Sequence, residues 1–190
     1  VEDQGDAVGD LGVLFILIVI LVYIVMATQF ESLLFPFIIM FTIPFAFTGV
    51  FLALWMTSTP LSLIALIGAI MLVGIVTKNG IVMVDYMNLL IERGSGVFDA
   101  VIAGGKSRLR PVLMTSFTTI LGMLPLAIGT GAGSETWQPM GIAVIGGLTF
   151  STILTLFIVP VLYSILVNRS QRKQREKLAR LSAEHQASKH

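Results

Sequence analysis

The sequence predicts an all-α protein, a polytopic transmembrane bundle of five spans with one short helix on the cytoplasmic surface. Of its 190 residues, 55% are hydrophobic and 12% are charged, and the mean hydropathy is +0.92. Soluble domains carry about 25% charged residues, so this composition indicates an integral membrane protein. Five apolar segments are each long enough to cross a hydrocarbon core of about 30 Å as a helix.

The first three spans are predicted over residues 11–30, 33–56 and 61–90. Residues 1–10 contain four acids and no base, and we expect them to be the end of an extracytoplasmic (periplasmic) domain. The chain starts without a Met or a basic region, so we expect the middle of a longer polypeptide and not a signal peptide. Pro44 predicts a kink in the second span, because proline has no backbone N–H to donate.

The rest of the chain predicts two more spans and a basic tail. Residues 92–110 are the one long internal polar segment, in which 97–103 is predicted as a short surface helix ending at a Gly-Gly pair. A proline opens the fourth span, 111–129, since proline is favoured in the first turn of a helix. The fifth span is predicted over 139–167, and a basic cytoplasmic tail over 168–190.

The distribution of basic residues predicts the orientation of the bundle. With five spans, one side of the membrane receives four bases from residues 91–110 and seven from residues 168–190. The connections on the other side carry no base. The positive-inside rule therefore places the C-terminus in the cytoplasm and residues 1–10 outside.

Lys78 lies deep inside the predicted third span and is followed by Asn79. A charge near the bilayer centre costs at least about 2.5–3.5 kcal/mol, so such residues usually belong to an ion or proton pathway. The alternative is snorkelling, in which the long side chain carries its ammonium group to the interface. Because Lys78 is more than three helical turns from either end of the span, we favour the pathway.

The chain supplies no evident counter-charge for Lys78. Asp85 lies two turns further along the same helix face, about 10 Å away, which is too far for direct contact. Asp85 is either part of the pathway or, as we favour, marks the cytoplasmic boundary together with Tyr86. A buried ammonium needs a compensating charge. We therefore expect that charge to come from another chain or from another part of the same protein.

Hydroxyl groups near the start of the fourth span are candidate hydrogen-bond partners for Lys78. By depth alone, Thr118 or Thr119 matches Lys78 better than Thr115. The alternative for each hydroxyl is a bond to a carbonyl of its own helix. The four candidates are Thr115, Ser116, Thr118 and Thr119.

The residue inventory limits the chemistry available in the spans. The chain has no cysteine, and both histidines, His185 and His190, lie in the polar tail. Thiolate or histidine metal sites and Ser-His catalysis inside the spans are therefore excluded. No motif indicates an enzyme, and no cofactor, metal or nucleic acid is expected.

Four segments resemble one known family in order and spacing. They are G-I-V-T-K-N-G-I-V-M-V-D-Y (74–86), R-L-R-P-V-L-M-T-S (108–116), L-P-L-A-I-G-T-G-A-G-S-E (124–135) and F-I-V-P-V-L-Y (157–163). The sequence thereby resembles the resistance–nodulation–division (RND) transporters, and among them the hydrophobe/amphiphile multidrug efflux branch. Family proteins have twelve spans in two similar halves, each interrupted by a periplasmic domain. This chain resembles the last five spans.

The resemblance implies a pump in the bacterial inner membrane that couples inward proton flow to outward drug transport. The family's relay joins an aspartate pair of the first half to a lysine, a threonine and an arginine of the second. In this sequence the latter three match Lys78, Thr115 and Arg108. Three further candidates accompany them: Asn79, Thr118 and Asp85. The aspartate pair has no counterpart here, in keeping with the missing counter-charge of Lys78.

The resemblance also implies partners. These are the first half of the transporter with its aspartate pair, two further copies in a homotrimer, a periplasmic adaptor, an outer-membrane channel and membrane lipid. The energy source is the proton-motive force. Two alternatives stay open: another RND exporter, for heavy metals or lipids, and a non-transporting membrane scaffold subunit. The nine methionines are scattered without pairing, which does not favour metal export. By residue type alone, Arg108 is also a plausible basic cytoplasmic anchor.

Overall fold

The computed structural model describes the backbone of residues 2–129, 131 and 133–187 and the side chains of residues 9–129, 131 and 133–169. Within these residues the secondary structure consists of six α-helices. They provide five spans that are long and apolar enough to cross a membrane, because α2 and α3 together form one span. The predicted all-α fold with five spans is confirmed. The helices are α1 (Glu2–Phe30), α2 (Leu34–Met40), α3 (Thr42–Met56), α4 (Leu63–Glu92), α5 (Val97–Ile128) and α6 (Ser134–Ala187).

Helix α1 lies at the edge of the bundle, where it contacts α2 and α4. Of its described side chains only Met26 is buried, although most of them are large and apolar. An apolar helix with so little protein cover is suited to contact lipid or further helices. Residues 2–10 continue α1 as helix. Their assignment to the end of a periplasmic domain stays a prediction, and Val1 lies outside the described residues.

The second span is interrupted at Phe41, between α2 and α3. Pro44 cannot donate to the carbonyl of Met40, so regular helical hydrogen bonding stops in this turn. The Thr42 hydroxyl donates to the carbonyl of Ile39 at 2.6 Å, which satisfies another backbone acceptor beside the break. The structure therefore has the interruption that Pro44 predicts.

Helix α4 carries the candidate site and runs unbroken for 30 residues. It begins after Ser62, whose side-chain oxygen accepts a hydrogen bond from the backbone N–H of Ala65 at 3.2 Å. This capping bond satisfies one of the free N–H groups of the first turn and fixes where the helix starts.

Residues 97–103 are helical, as predicted, but they do not form a separate surface helix. They are the first turns of α5, which continues through Gly104, Gly105 and Pro111 to Ile128. Gly104 does not end the helix, because it serves a close contact: a Cβ atom there would lie 2.6 Å from Cγ of Met87. The helix instead ends at Gly129, whose φ of 72° is left-handed.

Helix α6 is the central helix and packs against α3, α4 and α5. Its Gly146 and Gly147 lie so close to side chains of α3 and α4 that neither has room for a Cβ atom. The helix is 54 residues long, so the fifth span passes directly into the tail. The predicted basic tail retains Arg169 within the described side chains, and its other six bases lie outside them.

Candidate functional site on helix α4

Lys78 lies at the middle of α4, on a side that the other helices of this chain leave uncovered. Between residues 67 and 89, every exposed residue of α4 belongs to one narrow stripe. The spacing of three, four and seven residues returns to the same helix face, which explains the alignment. The members of this Lys78 stripe are Ile67, Met71, Gly74, Lys78, Asp85 and Leu89.

Within the described residues, the Lys78 stripe holds one positive and one negative charge that are too far apart to pair. Its two charges, on Lys78 and Asp85, are seven residues and therefore about 10 Å apart along the helix, so they do not neutralise each other directly. An ammonium group at mid-span without a partner in hydrocarbon is unfavourable by at least about 2.5–3.5 kcal/mol. A complementary acidic surface on this side would offset that cost.

Arg108 is held against α4 and does not simply extend from the membrane surface. Its guanidinium carbon lies 4.7 Å from the ring centroid of Tyr86, a cation–π contact. Tyr86 follows Asp85 directly, so the contact brings a positive charge close to the C-terminal end of the Lys78 stripe. This packing distinguishes Arg108 from an ordinary basic anchor.

The same contact sets the level of Thr115 relative to Lys78. Helices α4 and α5 are joined by a short turn and run antiparallel, with Arg108 opposite Tyr86. Seven residues after Arg108 on the same face of α5 is Thr115, and seven residues before Tyr86 on the same face of α4 is Asn79. Gly104 of α5 packs against Met87 of α4, which places Thr115 nearer the level of Val76. The two contacts together put Thr115 within about one helical turn of the level of Lys78. This register favours Thr115 over Thr118 and Thr119, which the depth argument preferred.

The three threonine hydroxyls of α5 bond to carbonyls of their own helix, which is the alternative to a bond with Lys78. Thr115 donates to the carbonyl of Val112 at 2.9 Å, and Thr118 donates to that of Met114 at 2.8 Å. Thr119 donates to the carbonyl of Thr115 at 2.8 Å. Ser116 faces another way and bonds to Thr152 of α6 at 2.9 Å. In this state of the chain the threonines of α5 are satisfied by their own helix.

Two contacts were missed by sequence reasoning. One is the ring of Tyr86 beneath Arg108, and the other is the hydrogen bond from the Tyr163 hydroxyl to Oδ1 of Asn88 at 2.5 Å. A polar residue inside an apolar span is itself a signal, so Asn88 could have been singled out. Its partner could not, because the two residues are 75 positions apart in the chain.

The comparison with known families decides what kind of protein carries this site. The model of the AcrB/AcrD/AcrF family matches residues 1–167. The chain belongs to this family. The resemblance to RND efflux transporters is thereby confirmed, and the chain is part of a multi-pass membrane protein. Because the family consists of transporters, the prediction that the chain is not an enzyme is confirmed as well.

Several curated relatives have names that refer to multidrug resistance. "Multidrug resistance protein MdtC" of Erwinia tasmaniensis is 43% identical over 155 residues, which is 81% of this chain. MdtC of Proteus mirabilis is 40% identical over 166 residues. "Swarming motility protein SwrC" of Bacillus subtilis is 38% identical over 172 residues, or 90% of this chain.

A solved structure resembles the fold. A crystal structure of a heavy metal efflux pump matches 88% of this chain with a TM-score of 0.81 and 32% sequence identity. The match covers 17% of that pump, and the matches to the curated relatives cover 15–16% of their lengths. The chain thus corresponds to a small portion of each protein that it resembles.

Proposed function

We propose that this chain is the last five spans of a proton-driven efflux pump for hydrophobic compounds, and that it supplies part of the proton relay. The observation that carries the proposal is Lys78, a charge at mid-span on a face left open by the chain itself. Membership of a transporter family supports this proposal, because the remaining spans of such a protein would cover the open face that carries Lys78.

The proposed relay works by electrostatic attraction. An ionised aspartate pair on the first half of the transporter holds the ammonium group of Lys78. Protonation of the pair removes this attraction, so α4 changes its position against the other half. Thr115, within about one turn of the level of Lys78, and Arg108, stacked on Tyr86, lie where they can accompany that movement.

The names of the relatives support the substrate class that we propose. The names of the MdtC proteins refer to multidrug resistance and they are 40–43% identical to this chain, whereas the heavy metal pump is 32% identical. We therefore assign hydrophobic drugs before metal ions. The pump is proposed to be a homotrimer in the bacterial inner membrane with a cytoplasmic C-terminus, working with a periplasmic adaptor and an outer-membrane channel.

Drug accumulation in cells tests the proposal. The full-length protein that carries this chain is expressed in a bacterial strain without its own pumps, as wild type, Lys78→Ala and Lys106→Ala. Lys106 is the matched control, because it is an exposed lysine of the same chain that lies outside the Lys78 stripe. We expect Lys78→Ala to abolish drug efflux at an unchanged protein level and Lys106→Ala to retain it.

The other outcomes decide between the alternatives. Efflux that survives Lys78→Ala contradicts the relay and returns Lys78 to a snorkelling or structural role. Export of metal ions but not of drugs by the wild type identifies a heavy metal exporter of the same family. Absence of any export by the wild type, with normal assembly, supports a scaffold.

A further inference from the structure

Three successive residues of α4 are held by two neighbouring helices. Tyr86 lies beneath Arg108 of α5, and Met87 packs against Gly104 of α5, where a Cβ atom would approach its Cγ to 2.6 Å. Asn88 accepts a hydrogen bond from Tyr163 of α6. We call residues 86–88 the α4 clamp. It begins eight residues after Lys78, on the far side of the buried Met83 and Val84.

The hydroxyl of Tyr163 is fixed by packing. Tyr163 is fully buried, with 0% exposure, and its ring stacks on Phe35 of α2 with centroids 5.7 Å apart and an interplanar angle of 18°. A buried phenol normally bonds to a partner, and here that partner is Asn88. The bond therefore links α4 to a rigid aromatic pair of α2 and α6.

The geometry separates the clamp from the Lys78 stripe. Asn88 points toward α6, whereas Lys78 points to the open side, so the clamp does not touch the ammonium group. The intervening segment is continuous helix without proline, and a continuous helix moves as one rigid element. A displacement at Lys78 must therefore reach Asn88.

We propose that Asn88 and Tyr163 are positioning residues of the pump, whose hydrogen bond makes α6 follow the movement of α4. The proposal rests on the proposed function, because Lys78 is taken as the site where that movement starts. Helix α6 packs against α3, α4 and α5, so its displacement would spread the change through the bundle. Three charged groups adjoin the clamp: Asp85 directly before it, Glu92 one turn further along α4, and Arg108 on the α5 side.

Tyr163→Phe tests the proposal, since it removes the hydroxyl and keeps the ring stacked on Phe35. In the full-length protein in proteoliposomes, we expect the maximal transport rate to fall about tenfold with an unchanged KM, and the thermal unfolding midpoint to fall no further than in Thr152→Val, which also breaks one buried hydrogen bond of α6. Tyr23→Phe is the matched control. Its hydroxyl donates to the carbonyl of Leu33 at 3.3 Å in an exposed position, and its loss is expected to leave the rate unchanged.

The double variant separates coupling from simple loss of structure. Because Asn88 and Tyr163 are proposed to act as one unit, Asn88→Ala combined with Tyr163→Phe should transport as slowly as either single variant. Additive losses, a rate equal to wild type, or an equal loss of rate in Thr152→Val would each overturn the proposal. Failure of Lys78→Ala to affect efflux would instead refute the proposed function. Loss of efflux in Lys78→Ala with a normal rate in Tyr163→Phe would refute the positioning role alone.

Discussion

At the scale of single residues, Thr115 and Thr118 have the same local bonding and different surroundings. Both donate to carbonyls of α5, but the contacts between α4 and α5 place Thr115 within about one turn of the level of Lys78. Thr118 instead lines a groove on the exposed side of α5, together with Met114 and Phe117. Their chemistry is alike, so any difference in function must come from what each one faces.

We therefore expect Thr115→Val to reduce drug efflux at least about tenfold and Thr118→Val to leave it close to wild type. A tenfold effect corresponds to about 1.4 kcal/mol, the value of one good hydrogen bond formed during the cycle. Drug accumulation in cells at matched protein levels measures both variants. A loss in Thr118→Val with a normal Thr115→Val would show that the register of α4 and α5 is misassigned.

Two threonines of α6 provide a second comparison. Thr155 is 3% exposed and its buried hydroxyl has no hydrogen-bond partner among the described residues, whereas Thr152, at 4% exposure, is bonded to Ser116. Valine has the same shape as threonine without the hydroxyl. Thr155→Val should raise the free energy of unfolding by about 1 kcal/mol, and Thr152→Val should lower it by about 1–3 kcal/mol by leaving Ser116 unpaired.

Thermal unfolding of the purified full-length protein in detergent measures both changes. Equal effects of the two substitutions would contradict the different bonding of the two hydroxyls. A lower stability of Thr155→Val would mean that its hydroxyl makes a favourable hydrogen bond.

The difference between Lys78 and Arg108 shows how far the sequence determines the site. Lys78 could be predicted because the cost of a charge in an apolar run is a local property that the sequence displays. The setting of Arg108 could not, because its stacking on Tyr86 depends on how two antiparallel helices pack. The family resemblance predicted the roles of Arg108 and Thr115, which stay predictions, and the structure shows how Arg108 packs on Tyr86.

At the scale of helices, glycines divide into those that permit close contact and those that do not. A Cβ atom at Gly49 would lie 2.9 Å from the carbonyl oxygen of Gly146, and one at Gly141 would lie 2.8 Å from the backbone nitrogen of Ala127. A Cβ atom placed at Gly74 or Gly122 would meet no described neighbouring helix within 4 Å. The sequence shows where glycines occur, and only the packing shows which of them an interface needs.

We expect Gly146→Ala to destabilise the protein by about 1–3 kcal/mol, because the new methyl group would overlap Ala53 of α3. The matched control is Gly122→Ala, which adds the same methyl group to an open surface of α5 and should be neutral or stabilising by up to about 1 kcal/mol. Unfolding midpoints of the full-length protein compare the two. A destabilised Gly122→Ala with a normal Gly146→Ala would contradict the α3–α6 packing.

The helix boundaries show what the sequence could not decide. The five spans follow from length and apolar composition, which are properties of each segment alone. The polar residues and the glycine pair at 104–105 suggested that a helix ends before Pro111. Helix α5 nevertheless continues, because Gly104 is used to pack against Met87. At this position the packing of two helices outweighed the local sequence signal for a helix end.

At the scale of the whole molecule, the described residues leave the Lys78 stripe of α4 uncovered, with a charge at mid-span. The mid-span charge on Lys78 and the covered sides of α4 point to a larger assembly in which the Lys78 stripe meets an acidic surface. The matched relatives are several times longer than this chain, which leaves room for that surface within the same protein. Under the proposed function, proton coupling would be a property of the assembled pump.

Proton movement in proteoliposomes tests this account most directly. The full-length protein is reconstituted as wild type and Lys78→Ala, drug is added, and the pH inside the vesicles is followed under an imposed proton gradient. We predict drug-dependent proton flux in the wild type, none in Lys78→Ala, and wild-type flux in Lys106→Ala, with equal amounts of reconstituted protein. Drug-dependent proton flux that persists in Lys78→Ala would contradict the account, because the charge at the centre of α4 would then have no part in coupling.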